Sequence, residues 1–186
     1  MPTGPQITLA RKSGADALMK RVNGLTKMAA YVGIPAADNR TRQAQLLDMA
    51  GKVKSKYRKA KLQKAAANDV TNAELLFIHT KGSPLKHIPA RPVLEPAVSA
   101  DGNRQIIARE LEASVKASLA GDQDDAKKKM MRTALAGQSI SRAWFTDSRN
   151  NWAPNAPGTI KRKGSDRPLI DTGALRNAII GIVREE

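Results

Sequence analysis

The chain has 186 residues, with 32 Lys and Arg against 17 Asp and Glu, a formal charge of +15, and no cysteine. Its length suits one domain, 1–186, with a real core, and the missing cysteines exclude disulfides, thiolate metal sites and a cysteine nucleophile. Hydrophobic residues make up 41% but aromatics only 3%, so the core must be built from Ala, Leu, Ile, Val and Met, which argues against an all-β sandwich.

No apolar run approaches the roughly 18 residues of a membrane span. The opening residues also lack the apolar core of a signal peptide. The expectation is a product that stays in the reducing compartment where it is made until something incorporates it. The positive charge is uneven: residues 1–70 hold 14 Lys and Arg against 4 acids, and residues 71–186 hold 18 against 13. Such a field favours a polyanion or an acidic protein surface, although solubility alone also accounts for a basic chain.

In chain order, "QITLA" reads as a short extended segment. A helix follows from about Ser13 to Lys27, with Ser13 as N-cap and Leu18, Val22 and Leu25 at helical spacing. "MAAYVGIP", Met28 to Pro35, reads as a strand stopped by Gly-Ile-Pro. After a polar turn at 36–41 comes a basic amphipathic insertion, about 36–70. Its apolar stripe is Leu46, Ala50, Val53, Tyr57 and Ala60, and Gly51 is a candidate break. Lys52, Lys54, Lys56, Arg58, Lys59, Lys61 and Lys64 surround that stripe, and over 40–64 nine basic residues face the single acid Asp48. Three readings stand: a solvated helix face, a polyanion contact, or another partner. A membrane anchor is disfavoured because the stripe is thin and lacks Trp or Phe.

A helix is predicted from Thr71 or Asn72 to Gly82, burying Leu75, Leu76 and Ile78. "SPLKHIPARPVLEPAV" carries Pro84, Pro89, Pro92 and Pro96, which excludes a continuous helix or central strand and predicts an ordered, extended connector. Two helices follow. Arg104–Leu119 has Ile107, Leu111, Val115 and Leu119 every fourth residue. The second opens at "GDQDDAKKK", its acids complementing the helix dipole, and passes Met131, Leu135 and Ile140 to Trp144 or Phe145. A polar loop, about 147–168, precedes a turn or short helix at "DTGALRNAI" and a last strand in "IIGIVRE". The order predicts an α+β fold, with a small mostly antiparallel sheet packed against several helices.

"LIDTGA" spells the surroundings of an aspartic-protease aspartate, but that chemistry needs two aspartates sharing a proton. Here there is no second Asp-Thr-Gly, and only 13 residues follow Gly173. The local alternative is that Asp171 or Thr172 caps the helix opening at Gly173. The histidines, His79 and His87, stand eight apart across Gly82 and Pro84 with no carboxylate cluster, a poor metal set. No phosphate loop, nucleophile elbow or calcium loop occurs, so neither an enzyme nor a cofactor is expected. The basic tracts lack the aromatics of a single-strand binder. Any DNA contact would be sequence-independent and salt-dependent.

Three stretches carry a resemblance: "YVGIPAADN" (31–39), "NAELLFIHTKGSPLKHIPARPVLEPAV" (72–98) and "WAPNAPGTIKRKGSDRPLIDTGALRNAI" (152–179). In order and spacing they resemble the tail completion, or neck, family of tailed bacteriophages, which includes Mu-like virion morphogenesis proteins and is akin to the lambda tail completion protein. The matching residues are Val32 to Pro35, Ile88 to Pro92, Trp152, Pro154, Thr159, Arg162 to Gly164, Leu169, Asp171 to Gly173 and Leu175. The insertion is longer than the family's usual loop, and "NAPGTI" departs from its wording after the Trp.

The resemblance implies a non-enzymatic virion protein that completes the head-proximal end of the tail or joins head to tail. It would act as one subunit of a ring, hexameric by the resemblance, around the DNA channel. The implied partners are further copies of itself, neighbouring neck, tail-terminator or tail-tube proteins, and the backbone of packaged double-stranded DNA. The seven cations from Lys52 to Lys64 are candidates for the channel or an acidic neighbour. Ile88, Pro89, Arg91 and Pro92, with the loop 147–168, are candidates for subunit contacts. A tail terminator or other connector ring, and a free sequence-independent DNA-binding protein, are the alternatives.

Overall fold

The structure, a computed structural model, describes residues 5–35, 39–67 and 70–185, with side chains from residue 14 in the first segment and residue 42 in the second. Its elements are α1 (Pro5–Thr26), β1 (Met28–Gly33), α2 (Asn39–Lys52), α3 (Lys56–Ala66), α4 (Asn72–Lys81), α5 (Leu94–Ser99), α6 (Asn103–Ala120), α7 (Gln123–Ala143), α8 (Pro157–Lys163), α9 (Ala174–Ala178) and β2 (Ile180–Glu185). The fold is α+β. β1 and β2 form an antiparallel pair, with Met28 opposite Glu185 and Gly33 opposite Ile180.

One face of this ribbon lies on α7, and two glycines set how closely they approach. A Cβ on Gly137 would stand 2.6 Å from Val32 Cγ2, and one on Gly181 would run into the Ala134 carbonyl. The Gly181 N–H donates to Gln138 Oε1 (2.8 Å), so the strand is also pinned to the helix by a side chain. Two-stranded ribbons are marginal alone, and α7 supplies the missing partner.

The main core joins Leu76, Val93, Ala97, Trp144, Phe145, Leu175 and Ile179, with Val32, Ile34, Trp152, Leu169 and Ile170 packed around it. Phe145 and Trp152 meet edge to face, with centroids 5.9 Å apart. A second cluster, Leu46, Ala50, Leu62, Ala66 and Ala174, lies between α2, α3 and the start of α9. Local signals are used where the sequence puts them. Thr71 and Glu74 form a reciprocal capping box at α4, Asp122 caps α7, and Gly82 and Gly121 follow the ends of α4 and α6.

Several expectations fail for physical reasons. "QITLA" is helical, because α1 already starts at Pro5, whose fixed φ and missing N–H suit a first turn; Ser13 is therefore mid-helix. The expected stripe of α6 is half outside: Leu111 and Leu119 are 41% and 40% exposed, while Ser114, Ala117 and Ser118 are buried. A repeat of four advances about 400° per step and drifts around a helix of 3.6 residues per turn. The buried face uses small residues, and the Ser114 hydroxyl donates to Ala126 O at 2.7 Å. Met131 and Leu135 of α7 are likewise exposed, and Met130 and Ala134 are buried in their place.

The Pro-rich run opens with a 3-10 turn, Pro84–Lys86, and a left-handed His87, and is extended only over about 88–92. Pro96 then falls within the first turn of α5, where it displaces no hydrogen bond. The loop 147–168 contains α8, opened by Pro157 and closed by left-handed Gly164. The insertion breaks at 53–55, just beyond Gly51, into a helical hairpin. Its stripe changes with the break: Tyr57 is 72% exposed and Ala60 is exposed, whereas Leu62 and Ala66 are buried. Part of the expected polar turn, 36–38, lies outside the described residues.

Gly181→Ala is expected to lower stability by about 1–3 kcal/mol, the usual penalty for overpacking. Gly14→Ala, in open space on α1, should be neutral or stabilising by up to about 1 kcal/mol. Urea denaturation of the two variants checks this; equal effects would contradict the close approach of β2 to α7.

Candidate functional site

The α2–α3 hairpin holds together through its apolar seam and Arg42. The Arg42 guanidinium donates to the carbonyls of Ala65 (3.2 Å) and Val70 (2.8 Å), joining the first helix to the end of the second. Ser55 caps α3 by accepting from the Arg58 N–H. With Leu62 and Ala66 inward, Lys54, Lys56, Arg58, Lys59 and Lys64 are exposed. The other two predicted cations are engaged: Lys52 pairs with Asp48 (2.6 Å), and Lys61 with Asp171 (2.8 Å). Five of the seven are therefore exposed without an acidic partner among the described residues, Lys52 is exposed but paired, and Lys61 ties the hairpin to the Asp-Thr-Gly turn.

The connector residues are not equally open to a neighbour. Arg91 is buried, and its Nε and Nη2 donate to Ala153 O (3.2 and 2.8 Å), with Nη2 also reaching Pro154 O (3.1 Å). Its backbone N–H donates to His79 O at 2.6 Å. Pro92 O accepts from the Trp152 indole N–H at 3.1 Å. The Arg91 side chain and the Pro92 carbonyl are thus engaged within the chain; a carbonyl pair is the natural partner for a guanidinium fork whose neighbours supply no acid. Ile88 is half-buried and Pro89 exposed. In the departing "NAPGTI" segment, the buried Asn155 amide donates to Asp166 O (2.8 Å), closing the loop around α8.

At the Asp-Thr-Gly turn, the Thr172 hydroxyl accepts from the Ala174 N–H (3.2 Å) and Gly173 is left-handed (φ 82°). Asp171 does not cap this helix. Its carboxylate pairs with the Lys61 ammonium at 2.8 Å, where a proton-sharing dyad would need a second aspartate.

Behind these features lies a cleft of about 810 Å³. Its walls come from α2, α4, the connector, α8 with its preceding loop, and the Asp-Thr-Gly turn. Arg42, Lys86, Arg91, Arg162 and Lys163 line it, with Asp171 the one carboxylate among the lining residues. Two lining residues carry buried polar atoms without hydrogen-bond partners, Asn72 Oδ1 and His79 Nδ1. Burial, then the charges of Arg91 and Lys163, hold the His79 imidazole below its usual pKa. Burial likewise lowers Lys163, opposed by Asp171 and reinforced by Arg91, Lys61 and Arg162.

His79 reads in the sequence as a helix-end residue and does not mark this cleft; the available signal is the cluster "KRK" before Gly164, of which Arg162 and Lys163 line it. Among the described residues no group of three His, Asp or Glu gathers as metal ligands, and no helix is long and apolar enough to cross a membrane. No protein family, curated protein or solved structure matches the chain.

The lowered pKa of His79 sets the sign of a pH effect. The unfolded imidazole takes up a proton near its ordinary pKa of about 6.5, whereas the folded one resists until lower pH. Stability should therefore fall as pH drops below about 6.5, and His79→Gln should remove this part of the slope. Thermal melts from pH 7.5 to 5.5, about two units across the histidine range, test it; identical slopes in the two proteins would contradict it. Asp147 acts in a separate window: hydrogen bonds from the Arg149 side chain, then its backbone, lower it to about 2. Its contribution is present above about pH 4 and lost as pH falls toward 2.

Proposed function

We propose that the chain is a structural protein of a tailed-phage virion, acting at the neck to complete the head-proximal end of the tail or to join head and tail around the DNA channel. One observation carries this reading. The three stretches that resemble that family are interlocked: Arg91 holds Ala153 and Pro154, Trp152 donates to Pro92, and Val32, Leu175 and Leu169 meet in the same core. The motif residues therefore act together as a folding unit, as expected of a motif that specifies a scaffold. Asp171, the one residue whose spelling suggests hydrolysis, is committed to Lys61.

In this reading the protein works as one subunit of a ring, contacting further copies and the adjoining neck, terminator or tail-tube protein. A tail terminator or other connector ring shares the same support. The basic hairpin faces the DNA or an acidic neighbour through Lys54, Lys56, Arg58, Lys59 and Lys64.

Quantitative mass spectrometry of purified particles, with antibody labelling in the electron microscope, tests the assignment. Several copies per particle with label at the neck are expected; absence from intact particles would overturn it. The triple reversal Lys54→Glu, Arg58→Glu, Lys59→Glu leaves the Lys61–Asp171 pair intact and should impair joining or DNA retention without changing the melt. Normal yields of infectious particles would remove the hairpin from this role.

The five exposed cations also favour a second reading, a sequence-independent DNA-binding protein. In that case the log of the binding constant should fall with log salt at a slope of about −4.5 if all five reach phosphates. The triple reversal should make the slope shallower by roughly three phosphate contacts. No binding by the isolated chain at moderate salt would exclude it.

A further inference from the structure

The cleft behind the hairpin has a charge imbalance that the protein itself does not resolve. Arg91 is 6% exposed, yet no carboxylate among the described residues pairs with it; its hydrogen bonds go to two neutral carbonyls. A buried charge ordinarily has a counter-charge, because neutral dipoles only partly replace the water it has lost. The side chains of Arg162 and Lys86 line the same cleft, both exposed and without a side-chain hydrogen bond or ion pair among the described residues. Lys163 donates to Arg167 O (2.7 Å), which satisfies a proton and leaves the charge. The carboxylate of Asp171 is already matched by Lys61.

Beside these cations sit the unpartnered Nδ1 of His79 and the unpartnered Oδ1 of Asn72, a residue only 4% exposed. Both atoms are closed off from solvent, so they add polar character to the cleft wall behind the cations rather than direct ligand contacts. The about 810 Å³ of the cleft is within the range of small-ligand sites.

We propose that this cleft binds a phosphate-bearing small ligand, its phosphate oxygens held by Arg91 and Arg162 with Lys86 and Lys163 supplying further positive charge. Phosphate is favoured over a single carboxylate because the unmatched charge exceeds one unit, and because a guanidinium fork presents paired donors to tetrahedral oxygens. The inference stands apart from a virion role: it rests on the cleft, not on the exposed hairpin.

The test is isothermal titration with inorganic phosphate and with adenosine 5′-monophosphate, ionic strength held constant with sodium chloride, while the imidazole resonances of His79 are followed by NMR. Saturable one-to-one binding that shifts the His79 signals is expected. Equal affinity for the two probes assigns the site to phosphate itself, and tighter binding of the nucleotide assigns it to a phosphorylated small molecule; both support the proposal. Arg91 also fastens the fold, so Arg162→Gln is the informative variant. It should weaken binding about ten- to a hundredfold, the value of one charge-assisted contact, with its melting temperature in ligand-free buffer unchanged. Lys86→Gln should weaken it in the same direction. Failure of both probes to saturate at millimolar concentration overturns the proposal, as does unchanged affinity in Arg162→Gln. So does a short poly-aspartate peptide that shifts His79 where phosphate does not.

Discussion

The buried guanidinium of Arg91 is the constraint around which the rest of this molecule is arranged. It lies on an extended connector, where Pro89 and Pro92 rule out a helix, so its side chain is presented by a segment with few backbone hydrogen bonds to spare. It reaches more than sixty residues along the chain to the carbonyls of Ala153 and Pro154, while Trp152 donates back to Pro92. Two irregular segments, neither able to order itself, thereby order each other. The T-shaped packing of Trp152 on Phe145 then ties both to the end of α7. Two fixed irregular segments make one wall of the cleft, and Arg91, held there by carbonyls with no carboxylate partner among the described residues, makes that wall positive.

A second consequence is that the chain's positive charge is divided between two places of different character. On the outer side of α3 it is exposed and screened by water, where isolated charges contribute little to stability and act mainly on distant partners. Inside the cleft the same sign is partly desolvated, so like charges are felt more strongly, as the lowered pKa values of Lys163 and His79 indicate. Lys61 and Asp171 sit between the two, linking the hairpin to the Asp-Thr-Gly turn. Ala174, buried in the hairpin's own cluster, reinforces that link with an apolar contact. The insertion is therefore anchored at the point where the cleft opens.

What the sequence makes legible is whatever one residue type can enforce locally. Thr71 with Glu74 announces a helix start, Gly82 and Gly121 announce stops, and Pro35 after Val-Gly-Ile ends a strand. α8 was announced as well, by Pro157 at its first position and Gly164 after its last, but a surrounding polar context outweighed both. The faces of α6 and α7 are illegible to a hydrophobic count. Their contact uses Ser114, Ser118 and Ala126, where small size matters more than apolarity, and the larger Leu111 and Leu135 are left half outside. The cleft is less legible still, since it depends on five segments meeting and on charges that carry no mark of burial in the sequence.

The Asp-Thr-Gly turn makes the same point in chemical terms. The string supplies a carboxylate, a hydroxyl and a glycine that permits a left-handed turn, and each is used: Asp171 for Lys61, Thr172 for the Ala174 N–H, Gly173 at φ 82°. None of these uses depends on the residues reading as a protease motif. A protease dyad would set a second carboxylate against Asp171, whereas the Lys61 ammonium found there makes the residue a strut between α3 and the turn. The partner brought in from α3, 110 residues away, decides which of the two this aspartate becomes.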